Sequence, residues 1–240
     1  MLRGLSVTFA SIALAAAHLA AASTFEIAPI RVELGGARHI AVLTLTNVED
    51  APVVVEMHVE DWSQTDGVDR LQDTKDLLGT PPVMQIAPHA QQIVRVALMR
   101  APDPTRELSY RVILQEVPRA APKNFEGLRV ALRLSVPIFV APAHGKAQGT
   151  LAWRGKWLPD GKLRLSATND GTGHVEVTDF ALRIGAAEIL RNVAAKYVLP
   201  GSTMSWTLTP PAGLDRQAVM HLAGHSDAGD LSSTVTFSGA

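Results

Sequence analysis

The stretch from Leu128 to Pro142, LRVALRLSVPIFVAP, constrains the fold of this 240-residue chain more than any other. Leu128, Val130, Leu132, Leu134, Val136, Ile138 and Val140 alternate with Arg129, Ala131, Arg133, Ser135, Pro137 and Phe139. That is the two-residue period of a strand with unlike faces. At about 3.3 Å per residue the run would span about 40 Å, roughly twice an ordinary strand. Part of it therefore projects past its neighbours or serves two partners. Pro137 has no N–H to give to a ladder, which suits an edge or a bulge and not a central strand. The stretch reads as an edge strand carrying an aliphatic row. Unpaired backbone beside apolar side chains is a place where another chain can add itself to the sheet. The plainer alternative is that the row covers this chain's own core while the arginines face water, as in most half-buried strands.

Upstream, strand-type runs occupy Thr24 to Leu34, His39 to Asn47, Val53 to Trp62, Val83 to Ile86, Gln92 to Met99 and Glu107 to Val117. Pro29 makes the first of these an edge or sheet-switching strand. Ser63 to Pro82 is polar and reads as a break with a turn at Gly67. With the edge strand this gives seven strands at about ten-residue spacing and no helical period, the pattern of a β-sandwich. Past Pro142 the composition shifts to AHGKAQG, and the theme then repeats in shorter strands, with a turn at Pro200-Gly201. The expected organisation is all-β: a signal peptide at 1–22, an N-terminal domain at 23–142 and a smaller C-terminal domain at 143–240. The first segment has Arg3, an apolar run from Leu5 to Leu19 and small residues at Ala20 to Ala22, as a secretory signal requires. There is no cysteine, so stability after export must come from core burial alone.

Other function classes find little support. The 22 basic residues nearly balance the 23 acidic ones, which gives no footing for nucleic-acid or polybasic membrane binding. After the signal no apolar run is long enough to insert in a membrane. No nucleophile elbow, phosphate loop or dinucleotide fingerprint is present, and an enzyme is not expected. Glu49-Asp50 and Glu60-Asp61 are neighbours in turns or on opposite faces, not opposed acid/base pairs. His221 and His225 have a metal-compatible spacing but flank Gly224 at an expected turn with no third ligand, so neither metal nor cofactor is expected. Aromatic residues make up only 5% of the chain, too few for a sugar-binding platform, and Trp153 and Trp157 are expected in the core.

With the segments placed, the first half resembles the periplasmic pilus chaperones of the chaperone–usher pathway, the PapD-like family. The matching residues are IRVEL at Ile30 to Leu34, TPPVMQIAPHAQQIVRV at Thr80 to Val96, ELSYRVILQEVP at Glu107 to Pro118 and the stretch Leu128 to Pro142. The second half matches only in general pattern and through VLPG at Val198 to Gly201. The resemblance implies two immunoglobulin-like β-sandwich domains in a boomerang arrangement, a periplasmic location, pilin subunits as guests and an outer-membrane usher as receiver. A pilin lacks its last strand, and the chaperone completes it by donor-strand complementation, a form of strand addition. By position, Leu128, Val130, Leu132 and Leu134 would fill the pilin groove. Burying such side chains supplies about 1.5–3 kcal/mol each before ordering costs.

The resemblance also places Arg31 as one of two basic residues that anchor the subunit's C-terminal carboxylate, a role suited to a guanidinium fork. The family's second anchor, a lysine on the edge strand, aligns with Pro137. Arg133 is the candidate substitute, on the same face but about 13 Å along the strand. Ala141 stands where many relatives carry an arginine joining the domains, which leaves Glu107 without the family's partner. These departures suit a divergent branch of the family, such as the archaic one. The alternative is an exported structural or adhesive two-domain protein that self-associates through the same edge. A chaperone would be a monomer, or a self-dimer when free, and would bind a pilin one to one; a structural protein would polymerise.

Overall fold

The structure is a computed structural model that describes residues 25–118 and 130–237. The expected signal peptide and Leu128 lie outside the described residues. The first half contains β1 (Phe25–Ala28), β2 (Val32–Leu34), β3 (Ile40–Asn47), β4 (Val53–Thr65), β5 (Val68–Asp73), β6 (Leu77–Thr80), β7 (Val83–Ile86), β8 (Gln91–Leu98), β9 (Leu108–Glu116) and β10 (Arg133–Val140). The second contains β11 (Leu151–Trp157), β12 (Leu163–Asn169), β13 (Val175–Ile184), β14 (Ala187–Asn192), β15 (Lys196–Val198), β16 (Thr203–Leu208), β17 (His221–Ser226), β18 (Gly229–Thr234) and β19 (Thr236–Phe237). No helix occurs among the described residues.

Each half is a pair of sheets closed over one core. In the first, β1-β3-β8-β6 faces β2-β10-β9-β4-β5, with β7 also paired to β4. Alternate residues supply the filling: Leu43, Leu45, Val94 and Val96 from one sheet meet Val55, Val112, Leu114 and Ile138 from the other, all fully buried. The opening segment does switch sheets between Phe25 and Leu34. Phe25–Ala28 pairs antiparallel with β3, and beyond Pro29 the Val32–Leu34 segment pairs parallel with β10. In the second half β16-β12-β11-β19 faces β14-β13-β17-β18, with β15 on β13. Its core holds Trp153, Leu165, Phe180, Trp206 and Leu222, and the partly buried Trp157 packs against it.

Both halves use one buried asparagine to hold their loops, because an amide can satisfy several backbone groups at once. Asn47 donates to the carbonyls of Ala51, Ile86 and Ala87. Asn169 donates to Gly173 and Val198 and accepts from the N–H groups of Thr150 and Gly171.

Three expectations need correction. The edge strand begins at Arg133, not Leu128, so its eight residues span about 26 Å and not 40 Å. The ladder to β9 ends where Leu132 meets Glu116, the last residue of β9. Second, Ser63 to Pro82 is not a break: β4 continues to Thr65, turns at Asp66-Gly67 and returns as β5. Positive φ at Asp66 (55°) and Gly67 (74°) is what a two-residue hairpin demands. All six residues of β5 are exposed, so its sequence carries no core-facing row to announce it. Third, Gly224 is no turn residue. It lies inside β17 opposite Phe180, where a Cβ would collide with the Asp179 carbonyl oxygen.

The halves meet through a small mixed junction. Trp62, Phe139 and Leu199 form a buried cluster with Tyr197 packed against it. The Gln64 side chain donates to the Tyr197 carbonyl (3.0 Å) and accepts from the Leu199 N–H (2.9 Å). Arg106 donates to the Pro200 carbonyl, and the Glu107 N–H to that of Thr172.

Candidate functional site: an open strand margin beside a charged cleft

Strand β10 has two different halves. Ile138, Phe139 and Val140 lie between β9 and β2, whereas Arg133 to Pro137 have β9 alone. The hydrogen-bond phase follows from two contacts: the Glu116 N–H donates to the Leu132 carbonyl, and the Ala141 N–H donates to the Leu34 carbonyl. Antiparallel bonding alternates, so even-numbered residues of β10 bond to β9 and odd-numbered ones point their backbone groups the other way. Phe139 and Ala141 meet β2 there. Among the described residues Arg133 and Ser135 meet no strand on that side, and their N–H and C=O groups form an unpaired margin. Pro137 is odd-numbered, so its missing N–H takes nothing from the β9 ladder.

The aliphatic row emerges gradually from the core along this margin. Ile138 and Val136 are buried, Leu134 and Leu132 are partly buried against the first core, and Val130 is 73% exposed. Arg133 and Ser135 on the other face are exposed. Of the expected groove-filling residues, the structure therefore describes three, in graded exposure.

Cross-strand register assembles the cleft on the opposite face of the sheet. One row runs Ser109, Phe139 and Glu33, with Trp62, the residue after the last β4–β9 pair, packed on Phe139, and the second half covers it at the aromatic junction. The next row runs Glu60, Arg111 and Pro137, and Arg31, one residue before Val32, extends it on the far side of Pro137. Directly opposed residues share a face, so Arg111 and Arg31 flank Pro137 about 10 Å apart at the backbone. Arg133 stands two rows further along, opposite Gln115. The structure does not bring it to Arg31.

The two cleft arginines differ in their surroundings. Arg31 is ringed by carboxylates: its Nη1 donates to Asp227 Oδ2 at 2.8 Å, with Glu176 at 3.7 Å and Glu33 at 3.5 Å. Arg111 lies over the Trp62 ring, its Cζ 3.6 Å from the centroid, with Tyr197 beyond. Burial lowers the Arg111 pKa from the ordinary arginine value, yet a guanidinium stays charged in proteins. It has no ion pair or hydrogen-bonded carboxylate among the described residues; Glu60, beside it in the row, keeps one carboxylate oxygen unpartnered.

His174, just ahead of β13, joins the halves. Its Nδ1 lies 2.7 Å from Glu107 Oε1, and Nε2 lies 3.2 Å from Asp227 Oδ2, an ion-pair contact without aligned hydrogen-bond geometry. The ring stacks on Phe139, centroids 3.5 Å apart and planes within 7°. Burial alone would lower its pKa, but the two carboxylates outweigh this and push it up to about 9. Asp227 is held below the usual carboxylate range: burial opposes ionisation, while His174, the Glu176 N–H and Arg31 favour it more strongly. Glu107 thus has a cationic partner despite Ala141, supplied by the second half of the chain.

Sequence reasoning missed Arg111, His174 and Asp227. Arg111 is the lone charge in Leu108 to Leu114, LSYRVIL, which was a usable signal. The other two depend on how the halves meet, which no local pattern records. Among the described residues no group of three or more His, Asp or Glu is placed to hold a metal.

No curated protein matches the chain. Solved structures do, over most of its length. A chain of the CsuC–CsuE chaperone–tip adhesion subunit pre-assembly complex, from the archaic chaperone–usher Csu pili of Acinetobacter baumannii, shares 20% identity, covers 90% of this chain and 100% of its own, and superposes with a TM-score of 0.70. The Pseudomonas aeruginosa CupB2 chaperone shares 20% identity over 87% of this chain and 97% of its own, with a TM-score of 0.56. A chain of the Salmonella enterica SafA pilin–SafB chaperone complex shares 17% over 88% and 95%, with a TM-score of 0.59. These likenesses fix the fold as two immunoglobulin-like β-sandwiches. Residues 24–146 match the family described as pili and flagellar-assembly chaperone, PapD N-terminal domain, and the chain belongs to that family.

Proposed function

We propose that this chain is a periplasmic chaperone that captures pilin subunits by lending them the open margin of β10 and delivers them to an outer-membrane usher. The observation that carries this reading is the backbone of Arg133 and Ser135, unpaired among the described residues, beside the part-buried Leu132 and Leu134. A guest strand there gains main-chain hydrogen bonds, while Val130, Leu132 and Leu134, with Leu128 ahead of them, offer side chains at alternate positions. Membership of a pilus-chaperone family and the solved chaperone–pilin complexes of the same fold support the reading.

The guest's C-terminal carboxylate is received in the cleft. Among the described residues no carboxylate is paired with the Arg111 fork, which is partly desolvated over Trp62, and this strengthens a charge-assisted bond. Arg31 completes the pair across Pro137, which answers the absence of a lysine there; Arg133 is too far along the strand for this role.

Co-expression with pilins followed by co-purification tests the proposal. A one-to-one complex is expected, lost with Leu132→Glu although that variant stays folded. Polymers of the chain alone, with no pilin retained, would favour the self-associating alternative.

A further inference from the structure

Asp227 sits in the turn between β17 and β18 and presents its carboxylate to Arg31 just as an incoming carboxylate would. Its Oδ2 takes the Nη1–H of Arg31 at 2.8 Å, and its Oδ1 accepts the Glu176 N–H at 2.8 Å. Glu176 and Glu33 stand 3.7 and 3.5 Å from the same guanidinium. An anion approaching Arg31 therefore meets a fork already occupied and a ring of like charge. The same Oδ2 also lies 3.2 Å from a second cation, His174, which Glu107 also holds. Leaving Arg31 would not strand Asp227, since His174 and the Glu176 N–H remain.

We infer that Asp227 is a built-in competitor for the guest's carboxylate at Arg31: it fills the site in the empty protein and is displaced towards His174 when a guest is seated. This rests on the proposed chaperone function and adds a consequence to it. The competitor weakens the hold on the guest and hastens its release, without contributing to the strand margin. A side chain from the second half of the chain thereby regulates a site on the first.

The test is the release rate of a co-purified pilin, measured by exchange with the same pilin carrying a fluorescent label. Asp227→Asn keeps an oxygen for the Glu176 N–H but removes the charge that competes for Arg31. Release is expected to slow about tenfold, the weight of one charge-assisted hydrogen bond. In an Arg31→Ala background the same substitution is expected to change nothing. Unchanged or faster release in Asp227→Asn, or slowing that persists without Arg31, would overturn the inference. A readout on the unmodified protein stands beside it: with carboxyl-labelled aspartate, the Asp227 carbon resonance is expected to shift on guest capture, and an unmoved resonance counts against displacement. If the unmodified chain retains no pilin, the proposed function itself fails; if pilin is retained and Asp227→Asn has no effect, only the competitor role fails.

Discussion

The two halves of β10 share a strand, a sheet and a neighbour in β9, yet one is finished and the other is not. Ile138 to Val140 are closed on the far side by β2; Arg133 and Ser135 face no strand there among the described residues. The difference is made by the chain's first crossing, because β2 is only three residues long and reaches no further than the pair Val32–Ile138. A short strand placed beside a longer one leaves a margin whose length is set by the mismatch. Pro137 sits at the changeover, where the absence of an N–H costs least.

Alternating backbone direction gives the sharpest way to break this comparison. Val136→Pro removes a donor to β9 and strands a buried carbonyl there, and is expected to destabilise the fold by about 2–4 kcal/mol, read as a large fall in the denaturant midpoint. Ser135→Pro, one residue away, removes only an outward donor; the midpoint should stay near that of the unmodified chain while pilin capture is lost. Equal destabilisation by the two would show that the outward groups are already paired.

Next in size, Leu132→Glu should abolish capture by putting a charge where the guest's core needs an aliphatic side chain, again with little change in the midpoint. Arg111→Ala should weaken retention about 10- to 100-fold, as loss of a partly desolvated charged hydrogen bond implies. Arg31→Ala should cost less, because Asp227 already competes for Arg31. Pull-down titrations with pilins bearing a free or an amidated C terminus would separate the two arginines, since amidation should erase the difference.

The smallest expected effect is on pH dependence at the junction. His174 titrates at about 9, against 6.5 for the free side chain. A raised pKa means that its contribution is fully present below pH 6.5 and is lost as pH rises through about 9. Asp227 is held below 3.8, so its contribution is present above 3.8 and fades as pH falls through its lower folded value. Thermal unfolding should show a midpoint that declines on the alkaline side, and His174→Gln should flatten that decline. A decline that persists in the variant would place the titration elsewhere.

Much of this was legible in the sequence, for reasons that differ by region. The aliphatic row of β10 and the sheet switch at Pro29 follow from local period and from proline's missing donor, and both came through. The length of the free strand did not, because the alternation LRVALRL continues upstream of the first paired residue, and only a neighbour can end a ladder. β5 was invisible because a strand with no buried face has no row to show. Arg31 could be placed, but not its engagement by Asp227, which lies 196 residues away and meets it only after the two sandwiches pack. His174 carries no local signal of its role, since its stacking on Phe139 and its two carboxylate contacts arise wholly from that packing.

Residue-resolved amide hydrogen exchange along β10, with and without a bound pilin, tests the central claim most directly. The account predicts slow exchange at Leu134 and Val136 throughout, with fast exchange at Arg133 and Ser135 in the monomeric chain that becomes slow when a pilin is held. Arg133 and Ser135 amides already protected in the monomer, or left unprotected in the complex, would contradict it.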